Sequence, residues 1–207
     1  MSMLPPHTAK PRAWQRMLSG RRLNLLDPDP ADVEIEDIAH GLARVARWNG
    51  QTLGSHALSV AQHVVLVEEI AAELNPEWQA DWRLATLLHD AAEYVIGDLI
   101  SPFKTAIGLD YKAFELRLLD AIYRRFGLPP EQPDDVTAGI KGADRIAAFY
   151  EATGLAGFAR DEALEFFGAP PPLSSMLSQR LLNLVAMPAL DSQRLFLERF
   201  GTLKRSA

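Results

Sequence analysis

His89, Asp90, Glu93 and Asp98 crowd the otherwise apolar stretch LLHDAAEYVIGDLISPFK, residues 87–104. Ionisable groups set among core-type residues are costly unless something pairs with them. Read as a helix, at about 100° per residue, the segment puts His89 and Asp90 at the edges of one arc. Glu93 falls between them, at i+4 and i+3, so all three face one point. A divalent cation at that point would turn imidazole and carboxylate from unpaired groups into ligands. Two more residues share the pattern: His63 in SVAQHVVLV and Asp144 in IKGADRIAAFY. Two His and two Asp drawn from three helices would leave coordination positions for water and substrate. Taken singly, each residue has a plainer reading. A lone His is usually hydrogen-bonded in a core or at a surface, and Asp144 could pair with Arg145, Lys141 or Arg160.

The elements that must position these residues read as helices. Ile38, Leu42, Val45 and Trp48 have helical spacing within 37–48, with Asp37 as the expected cap and Asn49-Gly50 as the stop. A second helix is expected over 56–74 and a third over 76–95, opened by Pro76 and stopped at Gly97. Asp110 is the expected cap of a fourth helix carrying Phe114, Leu118, Ile122 and Phe126. A fifth covers roughly 133–151, capped by Asp134 or Asp135. A closing helix at 189–201 offers Leu190, Leu195, Leu197 and Phe200 for packing, on its own core or in a homodimer. RLNLLDPDP reads as an extended arm with turns. No run of strands, repeat or linker interrupts the pattern, so the expectation is a single all-α domain.

Composition narrows the function. The 207 residues are 48% hydrophobic and 23% charged, enough for a sizeable core. A net charge of −6 disfavours a nucleic-acid polymer as partner but allows a small anionic ligand held by a few local cations. There are no cysteines, which excludes thiolate metal sites and fits a reducing cytosol. Neither a signal-peptide core nor an apolar run of membrane-spanning length is visible, so a cytoplasmic protein without a membrane partner is expected.

The run His63, His89-Asp90, Glu93, Asp98 and Asp144 resembles the HD-domain metal-dependent phosphohydrolases. It is most similar to the branch that includes bacterial 5′-deoxynucleotidases. The same likeness runs through RW at 47–48, SVAQH at 59–63, HDAAEYVIGDLISPFK at 89–104 and KGADRIAAF at 141–149. It covers roughly residues 36–151, leaving an N-terminal arm (1–35) and a C-terminal helical extension (152–207) around the core of one helical HD-domain bundle.

The resemblance implies that His63, His89, Asp90 and Asp144 bind one divalent ion: Mn, Co, Fe, Zn or Mg. It implies an acid–base or water-orienting Glu93, and an Asp98 that places the attacking water or the substrate. Arg47 would contact the substrate phosphate or sugar with Trp48 packed beside it, and Lys104 would lie on the substrate side. His56 precedes His63 by seven, so a helix reaching back to 56 would turn it toward the same cleft. Gln62 stands where relatives often carry Glu, and Val64 replaces a frequent Ser. NGQTLGSHAL at 49–58 differs from the characterised nucleotidases where substrate choice would be set. The implied activity is release of phosphate from a small phosphorylated metabolite, a nucleoside 5′-monophosphate foremost. A cyclic-nucleotide phosphodiesterase and a non-catalytic metal- or nucleotide-binding regulatory module are the alternatives.

Overall fold

Gln62 to Glu68 lie in the middle of a helix that is buried on every side, and the rest of the fold is arranged around it. A computed structural model describes residues 13–98 and 109–206. Lys104 and the rest of SPFK lie outside the described residues. Among these residues the order is a hairpin (β1, Trp14–Arg16; β2, Arg22–Asn24), then α1 (Ile35–Leu42), α2 (Val60–Leu74), α3 (Ala80–Leu87) and α4 (Glu93–Ile96). There follow α5 (Leu109–Arg125), α6 (Asp134–Gly154), α7 (Arg160–Phe167), α8 (Ser175–Leu182) and α9 (Ala189–Ser206). The architecture is all-α, as expected. Among the described residues no helix is long and apolar enough to cross a membrane.

The buried helix is α2. Ser59 caps it, its hydroxyl accepting from the Gln62 N–H at 3.2 Å. Val60, Ala61, Val64 and Val65 enter an apolar cluster shared with α1, α3 and α9. Leu66, Val67, Ile70 and Ala71 enter a second cluster shared with α6 and α8. A helix apolar round most of its circumference belongs in a core, and His63 is therefore carried into the interior of the molecule.

Several expected boundaries shift. The helix expected over 37–48 stops at Leu42, and Arg47–Gly50 form a separate turn in which Trp48 (φ 57°) and Asn49 (φ 50°) are left-handed. Asp37 is not a cap. It lies buried in the first turn of α1 and accepts from the N–H and hydroxyl of Ser19 at 2.9 and 2.5 Å, which seats the hairpin. Leu23 of that hairpin is wholly buried, so this part of the arm belongs to the core. The helix expected over 76–95 starts at Ala80 and breaks after Leu87, so residues 88–92 form turns before α4. Gly41 faces the Tyr94 backbone so closely that a Cβ there would come within 2.8 Å of its carbonyl oxygen. Packing of α1 on α4 thus needs a glycine at 41. Asp134 and Asp135 are first-turn residues of α6 rather than caps, where their charge suits the helix dipole.

The C-terminal third closes the core. Phe196 of α9 is fully buried, whereas Leu190, expected to pack, is 71% exposed. Glu68 of α2 is buried between Arg83 of α3 at 2.7 Å and Arg199 of α9 at 2.6 Å. One carboxylate thereby joins three helices.

Candidate metal centre

His63 and His89 reach the same space from different elements, and each is oriented by a bond on its Nδ1. His63 Nδ1 lies 2.6 Å from Oε1 of Glu151, and His89 Nδ1 lies 2.7 Å from the Thr86 carbonyl oxygen. A carbonyl only accepts, so His89 Nδ1 carries its hydrogen and Nε2 is the lone-pair nitrogen of the neutral ring. Because α3 breaks one residue later, that carbonyl accepts the backbone N–H of His89 in a turn, at 3.3 Å, and the ring N–H beside it. The continuous arc expected for His89, Asp90 and Glu93 is replaced by a turn that aims the His89 ring.

The Nε2 atoms of both rings are buried and, among the described residues, have no hydrogen-bond partner. Oδ2 of Asp90 lies 3.7 Å from His63 Nε2 and 3.3 Å from His89 Nε2. One ligand atom from each of these residues falls within 4.8 Å of the other two, a grouping that could hold one ion. Asp144, from α6, brings Oδ1 to 3.1 Å from His63 Nε2. Its side chain is 41% exposed while that of His63 is inaccessible, so the cluster opens to solvent on the Asp144 side. Two orphaned imidazole nitrogens and two carboxylates make a nitrogen–oxygen donor set that fits a divalent ion. Orienting bonds on the far ring nitrogens are the usual support of metal-binding histidines.

Electrostatics agree with a cation at this point. Burial and nearby Arg47 would lower the His63 imidazole, yet Glu151 and Asp144 outweigh them and hold its pKa up at about 10. Burial would raise the Asp90 carboxyl, but His89, His63 and Arg47 keep it well below the usual carboxylate range. Asp144 is lowered too, burial being outweighed by His63. Without a metal, a proton on the imidazole serves as the positive charge, and a metal must displace it. Mn²⁺ binding near neutral pH is therefore expected to release at least about one proton. Apparent affinity should rise with pH, up to about 10, the pKa of the His63 ring. Calorimetry in two buffers of different ionisation enthalpy measures that release; none would contradict ligation through His63.

Beside the cluster stands Arg47. Its turn is fixed to the start of α2 by Arg47 N–H donating to the Leu58 carbonyl at 2.8 Å and Val60 N–H to the Val45 carbonyl at 3.0 Å. Its Nη1 lies 3.6 Å from Asp98 and its Nη2 3.4 Å from Glu151, while Nε is buried without a hydrogen bond among the described residues. Asp98 gets there because α4 ends at Ile96 and Gly97 turns the chain at φ 77°. The half-buried Trp48 donates its indole N–H to Oε2 of Glu151 at 3.0 Å and meets Phe158 and Phe167 edge-on. A left-handed backbone at a residue with a Cβ costs about 1–2 kcal/mol and persists where the surroundings over-determine it.

Glu151 is the residue that the motif reading missed. It is wholly buried and meets His63, Arg47 and Trp48. Burial would raise its carboxyl, but His63 and Arg47, helped by the indole, bring it down to about 2. The available signal was its place seven residues after Asp144, two turns along one face of α6. Glu93 is buried at the start of α4. His56 is exposed in the loop before Ser59; α2 begins only at Val60, so the helical spacing that would relate it to His63 does not hold.

A family model of the HD domain matches residues 60–148. An uncharacterised protein of Rhodobacter capsulatus is 59% identical over 162 residues, covering 78% of this chain and 83% of that protein. The uncharacterised protein YfdR of Escherichia coli is 30% identical over 172 residues, covering 83% and 85%. The 5′-deoxynucleotidase of Vibrio cholerae is 31% identical over 130 residues, covering 51% of this chain and 66% of that enzyme.

Proposed function

Because this chain belongs to the HD-domain family, we propose that it is a divalent-metal-dependent phosphomonoesterase acting on a small phosphorylated metabolite, a nucleoside 5′-monophosphate foremost. The observation that carries this reading is the convergence of two orphaned imidazole nitrogens and two carboxylates next to a buried arginine. The name of the Vibrio relative supports the nucleotide class.

His63, His89, Asp90 and Asp144 would hold the ion, which when bound polarises a phosphoryl oxygen and acidifies water. Arg47 binds the phosphate dianion, its guanidinium suited to paired contacts with two oxygens. Asp98 and Glu151 hold that guanidinium in place before substrate arrives. Glu93, buried at the start of α4, exchanges a proton with water or with the departing alkoxide. Asp98 also places the attacking water. Asp90 and Asp144 form the wetter edge through which the phosphate enters.

The test is phosphate release from a panel of nucleoside 5′-monophosphates and sugar phosphates by protein reloaded with Mn²⁺ or Co²⁺. Cyclic mononucleotides are run in parallel. Turnover of monophosphates that chelation abolishes is expected. No turnover of any monophosphate by protein with metal shown to be bound would end this reading, and cleavage of cyclic diesters alone would replace it.

A further inference from the structure

Glu151 divides its two oxygens between the two halves of the site. Oε1 takes the His63 ring at Nδ1, while Oε2 takes the Trp48 indole N–H and faces Nη2 of Arg47. No part of the carboxylate reaches solvent. A charged group buried this completely is weak support for stability, since an apolar side chain of similar volume often serves a core as well or better. The surrounding aromatic contacts of Trp48 with Phe158 and Phe167 supply packing without it. What those contacts do not supply is an acceptor that selects the His63 tautomer, or a counter-charge that aims Arg47. The left-handed turn at Trp48 and Asn49 points the same way, because the indole bond to Glu151 anchors the side chain of the residue next to Arg47.

We propose that Glu151 is a positioning residue that locks the metal ligand His63 and the phosphate-binding Arg47 into one register. The inference rests on the phosphomonoesterase reading for its substrate half and on the ring geometry alone for its metal half. Glu151 touches neither metal nor substrate. It acts through Nδ1 of His63, keeping Nε2 turned to the ion, and through Arg47 and Trp48, keeping the guanidinium beside the cluster. Loss of its charge therefore affects two affinities at once.

The test uses the full-length chain and Glu151→Gln, which keeps the shape and removes the charge. By calorimetry, Mn²⁺ affinity is expected to fall about 10–100-fold, the scale on which orienting partners of metal ligands are felt. KM for the best monophosphate should rise severalfold, while kcat at saturating Mn²⁺ and substrate changes far less. Trp48→Phe keeps a ring against Phe158 and Phe167 but loses the N–H. It should raise KM and leave Mn²⁺ affinity within about twofold, a difference set by the metal-side bond alone.

Should Glu151→Gln fail to fold, ¹⁵N-histidine NMR of the wild-type chain loaded with Zn²⁺ decides instead. His63 is expected to carry its hydrogen on Nδ1, with Nε2 metal-bound. Wild-type Mn²⁺ affinity in Glu151→Gln, or a His63 ring with the hydrogen on Nε2, would overturn the proposal. Absence of monophosphate turnover in the wild type sinks the hydrolase reading only, because the Mn²⁺ titration and the NMR arm need no substrate.

Discussion

Asp90→Ala is expected to lose its bound divalent ion and, with it, phosphate release down to background. Asp90 is the carboxylate that both imidazole Nε2 atoms approach, at 3.7 and 3.3 Å, so its loss breaks the link between the two rings. The remaining donors would be His63, His89 and Asp144, and Asp144 is the most exposed of the set. The fall should exceed the roughly 10²–10³-fold that one lost electrostatic donor costs at a reacting centre, because the ion's whole contribution goes with it. Asp90 lies in the turn after α3, outside the apolar clusters, so the fold should survive the change. Metal content by elemental analysis, alongside phosphate release, checks the result. Activity that persisted without Asp90 would remove it from the site.

Phe196→Ala is the second large effect, on stability rather than chemistry. The ring is inaccessible and shares an apolar cluster with Leu42, Val64 and Leu84 from α1, α2 and α3. Phe→Ala at such a site costs about 3–5 kcal/mol from lost burial and the cavity left behind. That is a large fraction of the roughly 5–15 kcal/mol by which a typical domain is stable. Three residues on, Arg199 holds Glu68 of α2 from the same helix, so a displaced α9 would also leave that buried carboxylate with one cation fewer. Urea denaturation followed by circular dichroism measures the change. A loss below about 1 kcal/mol would mean that α9 only rests on the core. Since α9 packs on both α2 and α3, the variant should also hold metal less tightly as it approaches its midpoint.

The class of fold was legible because apolar spacing and terminal signals such as Gly97 mark helices from local chemistry. The breaks were not. Neither Ala43 nor Leu88 is a helix-ending residue by type, and each break accompanies a contact that the local sequence does not display. Gly41 must clear Tyr94, and the His89 ring takes the carbonyl of Thr86. The hairpin was hidden for a similar reason: three-residue strands are too short to show alternation, and the buried Leu23, the Ser19–Asp37 bonds and the Arg21–Glu34 ion pair that help hold them join residues far apart in sequence. At the site, His63, His89, Asp90 and Asp144 stood out as ionisable residues in core-like surroundings. Glu151 did not, because FYEATG reads as an ordinary helix end until α2 is known to lie against it. For His56 the seven-residue spacing carries no information, since the helix begins only at Val60.

The partly open edge at Asp144 bears on which element is resident. With that carboxylate two-fifths exposed, an ion held there is expected to exchange without the chain unfolding. Occupancy is then an exchange equilibrium with the surrounding metal pool, and imidazole–carboxylate donors follow the common divalent affinity order. The ion found after purification will report the supply during growth and handling as much as the preference of the site. Competition between metals at controlled free concentrations, rather than the composition of isolated protein, is what identifies the working ion.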